Sequence, residues 1–270
     1  MTEIQAPSGA VLQAFGAAQP PELLPGGRGR TWRSGEVVLK PLDMPEEALQ
    51  WLAAVAAPRL RSGQLRVSWP ITSRGGTLVV DGWTAFPALA GRHLPGRWTE
   101  IIDAGGDFST ALRQLPEPRF IRSRNDSWAR ADRAAWSEEP IAGLRTVPHL
   151  AGLFEAMEPV AEPSMVVHGD LTGNVLFHPT LPPAVVDLSL YWRPAAYSTA
   201  IVLVDALAFE GADNSVLDET AGPAVLQCKL RAYVFRIATD YLTGSTGWMG
   251  GDDDPYAAGV GRLLEHLGRD

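Results

Sequence analysis

The chain has 270 residues, 46% of them hydrophobic, which is enough to bury a core without covalent staples. Cys228 is the only cysteine, so a disulfide framework and a thiolate metal cluster are excluded, and a reducing compartment such as the cytoplasm is expected. With 31 acidic against 23 basic residues the net charge is −8, which disfavours nucleic acid and anionic membrane as partners.

The first thirty residues lack the basic start and continuous apolar stretch of a signal peptide, so no secretion is expected. Residues 23–43, "LLPGGRGRTWRSGEVVLKPLD", predict a strand, a glycine-rich turn and a second strand over Glu36 to Leu42, whose Val37, Val38 and Leu39 favour β structure. Asp43 is placed to cap a helix from about Pro45 to Ala57. Pro45 and Glu46 fall in its first turn, and Leu49, Leu52, Ala53 and Ala56 recur at helical spacing. Residues 65–91 hold two further strands joined by Asp81-Gly82, a dipeptide that tolerates positive φ at both positions of a tight hairpin.

Beyond Gly91 the pattern turns helical. Helices are expected over Ile101 to Leu115, Pro148 to Val160, and a segment marked by Leu226, Leu230, Val234, Ile237 and Tyr241. A last helix is signalled by Asp254-Pro255 followed by Val260, Leu263, Leu264 and Leu267. The stretch "RFIRSRNDSWARADRAAW" reads as a solvated helix with buried tryptophans. The runs Met165 to Val167 and Ala184 to Val186 read together as a small β-ribbon, each delivering an aspartate at or just past its end. The longest apolar run, Ala195 to Phe209, is interrupted by Ser198, Thr199 and Asp205 and falls short of the roughly 18 residues of a membrane span. Asp205 in such a helix needs a partner, expected to be structural.

Phosphoryl transfer from a nucleoside triphosphate needs a cover for the phosphates, a cation, two metal ligands and a carboxylate for the acceptor hydroxyl. Candidates stand in a usable order. Gly26, Gly27 and Gly29 lie in a turn where backbone N–H groups can approach phosphate. Lys40, one of only two lysines, ends the "VVLK" strand, and Asp170, Asn174 and Asp187 follow far downstream. The turn is no GxxxxGK[ST] loop, since that pattern is absent.

With the glycine turn, Lys40, the acid-led helix, the hairpin ending in "FPALAG", "HGDLTGNVLF" and "VVDLS", nearly the whole chain resembles the aminoglycoside phosphotransferase and choline kinase-like family, as an actinobacterial-type member. That resemblance implies an α+β, bilobal protein-kinase-like fold. Residues 1–88 would form a small antiparallel sheet with one helix, and residues 89–270 a larger, mostly helical catalytic and substrate-binding lobe. It also implies that Asp170 is the catalytic aspartate and that Asn174 and Asp187 bind Mg²⁺. Lys40 would contact the phosphates of ATP or GTP, and Ala85, Phe86, Ala88 and Leu89 would lie beside the base.

His168 is read as a support of the loop. Glu46 and Glu47 are both candidates to pair with Lys40, with Glu47 preferred because a capping box would occupy Glu46. Trp192 and Arg193 are read either as acceptor contacts or as a buried tryptophan with a structural arginine.

The loop departs from the kinase pattern in one respect: three residues, not four, separate Asp170 from Asn174. Gly173 can close such a shorter turn if it adopts a left-handed conformation. Two readings follow. One is a Mg²⁺- and ATP-dependent kinase acting on a hydroxyl of a small molecule; the other is a nucleotide-binding pseudokinase that regulates or scaffolds and transfers nothing.

Overall fold

The computed structural model describes residues 5–25, 29–60, 63–217, 222–249, 251 and 253–268. In chain order its first elements are α1 (Gly9–Ala14), β1 (Glu22–Leu23), β2 (Trp32–Ser34), β3 (Val37–Pro41), α2 (Glu46–Trp51), β4 (Arg66–Val67), β5 (Val79–Val80) and β6 (Trp83–Pro87). There follow α3 (Trp98–Leu112), α4 (Arg119–Ser123), α5 (Ser127–Ala135), α6 (Leu150–Ala156), β7 (Met165–His168), β8 (Val175–Leu176), β9 (Ala184–Val185) and β10 (Leu190–Arg193). The chain ends with α7 (Ala195–Phe209), α8 (Pro223–Thr243) and α9 (Ala257–His266). The fold is α+β, with a small antiparallel sheet and a larger helical part. No helix among the described residues is long and apolar enough to cross a membrane.

Two compact units divide the chain: Met1–His93 with Asn174–Leu188, and Leu94–Gly173 with Ser189–Asp270. The first is built on a five-stranded sheet in the order β1-β2-β3-β6-β5, antiparallel throughout. Asp81 (φ 48°) and Gly82 (φ 76°) make the hairpin turn between β5 and β6, the left-handed pair that matches strand twist. Leu39 and Ala85, cross-strand partners in β3 and β6, are fully buried against Val11 and Phe15 of the N-terminal segment. A second sheet, β4-β9-β8, places Asn174–Leu188 in this unit, with β4 parallel to β9 and β8 antiparallel to it.

Several expectations are corrected here. The glycine turn does not lead directly into the lysine strand. Trp32–Ser34 form β2, and a second turn at Gly35 (φ 60°) connects it to β3. The helix expected over residues 45–57 ends as an α-helix at Trp51, passes into a π-helical turn at Leu52–Ala56 and then a 3₁₀ turn at Ala57–Arg59. Pro58, which has no N–H to donate, marks the point where the ladder fails. Asp43 does not cap this helix: the N-cap is Pro45, without a side-chain bond. Met165–His168 and Ala184–Val185 do not share a ribbon, since β7 pairs with β10 and β9 with β4 and β8. Runs of two to four residues carry too little pattern to set their partners.

The second unit packs α7 and α8 around Tyr197, Tyr233 and Phe235, all essentially without exposure, and α3 packs on β7 and α7. Burying the Phe235 side chain contributes roughly 1.5–3 kcal/mol. Gly259 of α9 sits where a Cβ would lie 1.8 Å from the Tyr233 hydroxyl, so only glycine allows that approach. The stretch read as one solvated helix is two, α4 and α5, broken before the Asp126 cap, whose side chain accepts from Ala129 N at 3.0 Å. Expected helix limits shift by a few residues: α3 runs Trp98–Leu112 and α6 Leu150–Ala156. The last helix begins at Ala257, while Asp254 accepts from Tyr256 N at 2.8 Å and pairs with His149.

Candidate functional site

The first unit brings two of the anticipated residues, Lys40 and Asp187, into contact. Lys40 lies on β3 opposite Thr84 of β6, so its backbone is held by the sheet and its carbonyl accepts from the Thr84 hydroxyl at 3.1 Å. Its ammonium meets Asp187 Oδ1 at 2.9 Å and Asp43 Oδ2 at 3.1 Å, and stands 5.4 Å from the centre of the Phe86 ring. Burial works against this charge, but Asp187 and Asp43 outweigh it and hold the ammonium above its ordinary value. The helix carboxylates expected beside Lys40 are not there: Glu46 and Glu47 are exposed on α2, and Asp43, three residues after the lysine, takes that place. A lysine at the end of a strand reaches its own following loop before it reaches the next helix.

The β8–β9 pairing puts Asn174 opposite Val186, the residue before Asp187. Val175 faces Val185, and Val186 N donates to the Asn174 carbonyl at 2.9 Å. Gly173 adopts φ 81° and Asp187 φ 48°, both left-handed, so the chain reverses at each entry to this pair. An amide carbonyl and a carboxylate are the hard oxygen donors that Mg²⁺ takes, and that ion is usually held by one or two carboxylates together with substrate phosphates. By donor chemistry alone, the two residues fit such an ion. No group of three His, Cys, Asp or Glu side chains among the described residues has a metal-holding arrangement.

Gly29 has φ 66° with open space around it, whereas Gly26 and Gly27 lie outside the described residues. Ala85 and Phe86 are in β6, and the Ala85 carbonyl accepts from Ile71 N at 2.9 Å. Ala88 N donates to the Glu36 carbonyl at 2.8 Å, so this donor extends the sheet ladder. Leu89 follows beyond the strand.

The second unit positions Asp170. His168 ends β7 fully buried, with its ring edge against Phe108 of α3, and its carbonyl accepts from the Ser198 hydroxyl of α7 at 2.6 Å. Asp170 N donates to His168 Nδ1 at 3.1 Å, so this histidine shapes the loop. Gly169 lies under the Tyr191 ring, where a Cβ would be 2.4 Å from it, and Leu171 occupies the space left by Gly105 on α3. Burial pushes the Tyr191 phenol up to about 12, so it stays neutral at ordinary pH.

Asp170 Oδ1 accepts from Arg236 Nη2 of α8 at 2.9 Å. The same guanidinium donates to both oxygens of Asp205, Nε to Oδ1 at 2.7 Å and Nη2 to Oδ2 at 2.5 Å. Burial disfavours its charge, yet Asp205 and Asp170 outweigh that and hold it well above the ordinary arginine value. Asp205 thus has the partner its burial demanded. Arg236 escaped the sequence reading, and the available signal was a lone arginine among Val234, Phe235, Ile237 and Ala238. Arg193 proves structural, bonded to buried Asp132 and to Glu138, with its guanidinium 4.8 Å from the Trp136 ring centre.

No family model matches the chain, and no curated protein does. Solved structures do. The aminoglycoside phosphotransferase of Alicyclobacillus acidocaldarius subsp. acidocaldarius DSM 446 aligns with a TM-score of 0.62 at 14% identity, covering 99% of this chain and 96% of that one. The amicoumacin kinase hAmiN, in complex with AMP-PNP, Ca²⁺ and Ami, aligns at 0.60 and 13%, covering 96% and 91%. The choline kinase LicA of Streptococcus pneumoniae aligns at 0.57 and 12%, covering 91% and 93%. With its small antiparallel sheet and larger helical part, the chain therefore has the kinase-like α+β fold that these aminoglycoside phosphotransferase and small-molecule kinase structures share.

Proposed function

We propose that the chain is a phosphotransferase that moves the γ-phosphoryl group of ATP or GTP onto a hydroxyl of a small molecule. The observation that carries this reading is the meeting of Lys40 with Asp187, 147 residues away in sequence, in the same unit that holds Asn174 opposite Val186. A cation next to two oxygen donors is what the phosphates of a triphosphate and their metal require. Asn174 and Asp187 would hold Mg²⁺, which when bound neutralises charge on the β- and γ-phosphates.

Lys40 contacts the phosphates, and the backbone N–H groups of Gly26, Gly27 and Gly29 cover them. Ala85, Phe86, Ala88 and Leu89 flank the base, with the Ala88 N–H committed to the sheet. Asp170 orients the acceptor hydroxyl and takes its proton, so catalysis comes mainly from positioning and charge. The likeness to kinase structures, one of them holding a triphosphate analogue, supports this assignment. A cytoplasmic setting goes with a triphosphate donor and with the buried free thiol of Cys228.

Thermal-shift titration with ATP and GTP, with and without Mg²⁺, tests the nucleotide site. ATP consumption across aminoglycosides, amino alcohols, sugars and nucleosides then identifies the acceptor. Asp170→Asn is expected to lower turnover by about 10²–10⁴-fold; undiminished turnover would falsify its role. Mg²⁺-dependent nucleotide binding with no transfer to any acceptor would favour the regulatory pseudokinase reading instead.

A further inference from the structure

We infer that Arg236 is a positioning residue for Asp170, itself locked by the buried Asp205; this rests on the proposed role of Asp170. The three side chains belong to one unit and form a chain of charge-assisted bonds from α7 through α8 to the loop. Asp205 is 3% exposed at its side chain and Arg236 12%. The planar fork meets Asp205 through two nitrogens, which fixes its rotation, and the same Nη2 then meets Asp170 Oδ1. The loop backbone is tied from the other side by the Asp170 N to His168 Nδ1 bond. Asp170 is thereby held at both its amide and its carboxylate, and a misplacement of the reacting group by about 1 Å can cost ~10²-fold in rate.

A lysine at position 236 would supply charge but no fork, so it could not bridge two carboxylates in fixed orientation. Arg236 acts through Asp170 rather than on the nucleotide, and its loss should spare nucleotide affinity. It should also add nothing once Asp170 is gone, because residues working as a unit are non-additive.

The test measures phosphate release from ATP with Mg²⁺ and water as acceptor, in the full chain. Arg236→Gln and Arg236→Lys are expected to lower kcat by about 10²-fold with KM for ATP changed by less than about two-fold. In the Asp170→Asn background, Arg236→Gln is expected to have no further effect on kcat. If Arg236→Gln fails to fold because Asp205 is left unpaired, Asp205→Asn/Arg236→Gln takes its place. The arginine Nε–H resonance of residue 236 provides a readout independent of turnover: slow to exchange in the parent chain and in Asp170→Asn, fast in Asp205→Asn. Wild-type kcat in Arg236→Gln, multiplicative losses in the double variant, or a fast-exchanging Nε–H in the parent each overturn the inference. Unchanged phosphate release in Asp170→Asn overturns the proposed role of Asp170 instead, and the inference falls with it.

Discussion

The two units each set one cation between two carboxylates, and they do so in opposite ways. Lys40 meets Asp43 and Asp187, whose side chains are 47% and 56% exposed. Arg236 meets Asp205 at 3% and Asp170 at 44%. The lysine is a flexible ammonium whose two partners face solvent and can exchange for phosphate oxygens. The arginine is a rigid fork with one partner sealed in a helix interface, so it has nowhere to go. On the proposed reading, the first cation is suited to a ligand and the second to holding Asp170 in place.

Substitutions at the two cations and at the loop between them should differ in their cost. Arg236→Gln has the largest expected effect on stability, a loss of about 3–5 kcal/mol in urea unfolding, because it strands Asp205 as a buried unpaired charge. Asp205→Asn in the same chain should recover part of that loss. A smaller effect is expected at Gly173, whose φ of 81° suits glycine. Gly173→Ala should cost about 1–2 kcal/mol, and Gly173→Asn less, since asparagine tolerates this region better. Equal costs for the two would show that conformation is not the cause.

Smallest of all should be Lys40→Met, which is expected to change stability by no more than about 1 kcal/mol because exposed partners are easily resolvated. It should nevertheless abolish the ATP-induced thermal shift. The Lys40 contribution has a defined pH sign. Its folded value is raised, so that contribution is complete below the ordinary lysine value of 10.5 and disappears as pH climbs through the folded one. Comparing urea midpoints of the parent and Lys40→Met between neutral and strongly alkaline pH checks this: the difference should shrink.

Much of the N-terminal sheet was legible in the sequence because its cues are local. Asp81-Gly82 dictates a left-handed turn wherever it stands between apolar runs, and "VVLK" is β-favouring by residue type alone. Gly173 was readable for the same reason, as the residue able to close a short loop. The trio of Lys40, Asp43 and Asp187 was half legible: the lysine and the distant aspartate stood out, but the nearby Asp43 looked like a helix cap. Capping and ion pairing use the same carboxylate, and only the fold decides which partner arrives first.

Residue chemistry and short-range pattern marked the lysine strand, the left-handed turn at Asp81-Gly82, the approximate course of the main helices, and Lys40, Asp170 and Asp187 as polar groups of interest. Tertiary structure alone decided that β7 pairs with β10 and not with β9, that Asn174–Leu188 joins the N-terminal unit, and that Arg236 reaches Asp170. Those outcomes depend on contacts between residues tens of positions apart, where the energy comes from burial and from satisfying charges. Asp205 and Arg236 show it plainly: each looks costly within its own helix, and only together do they make a bond that the core can hold.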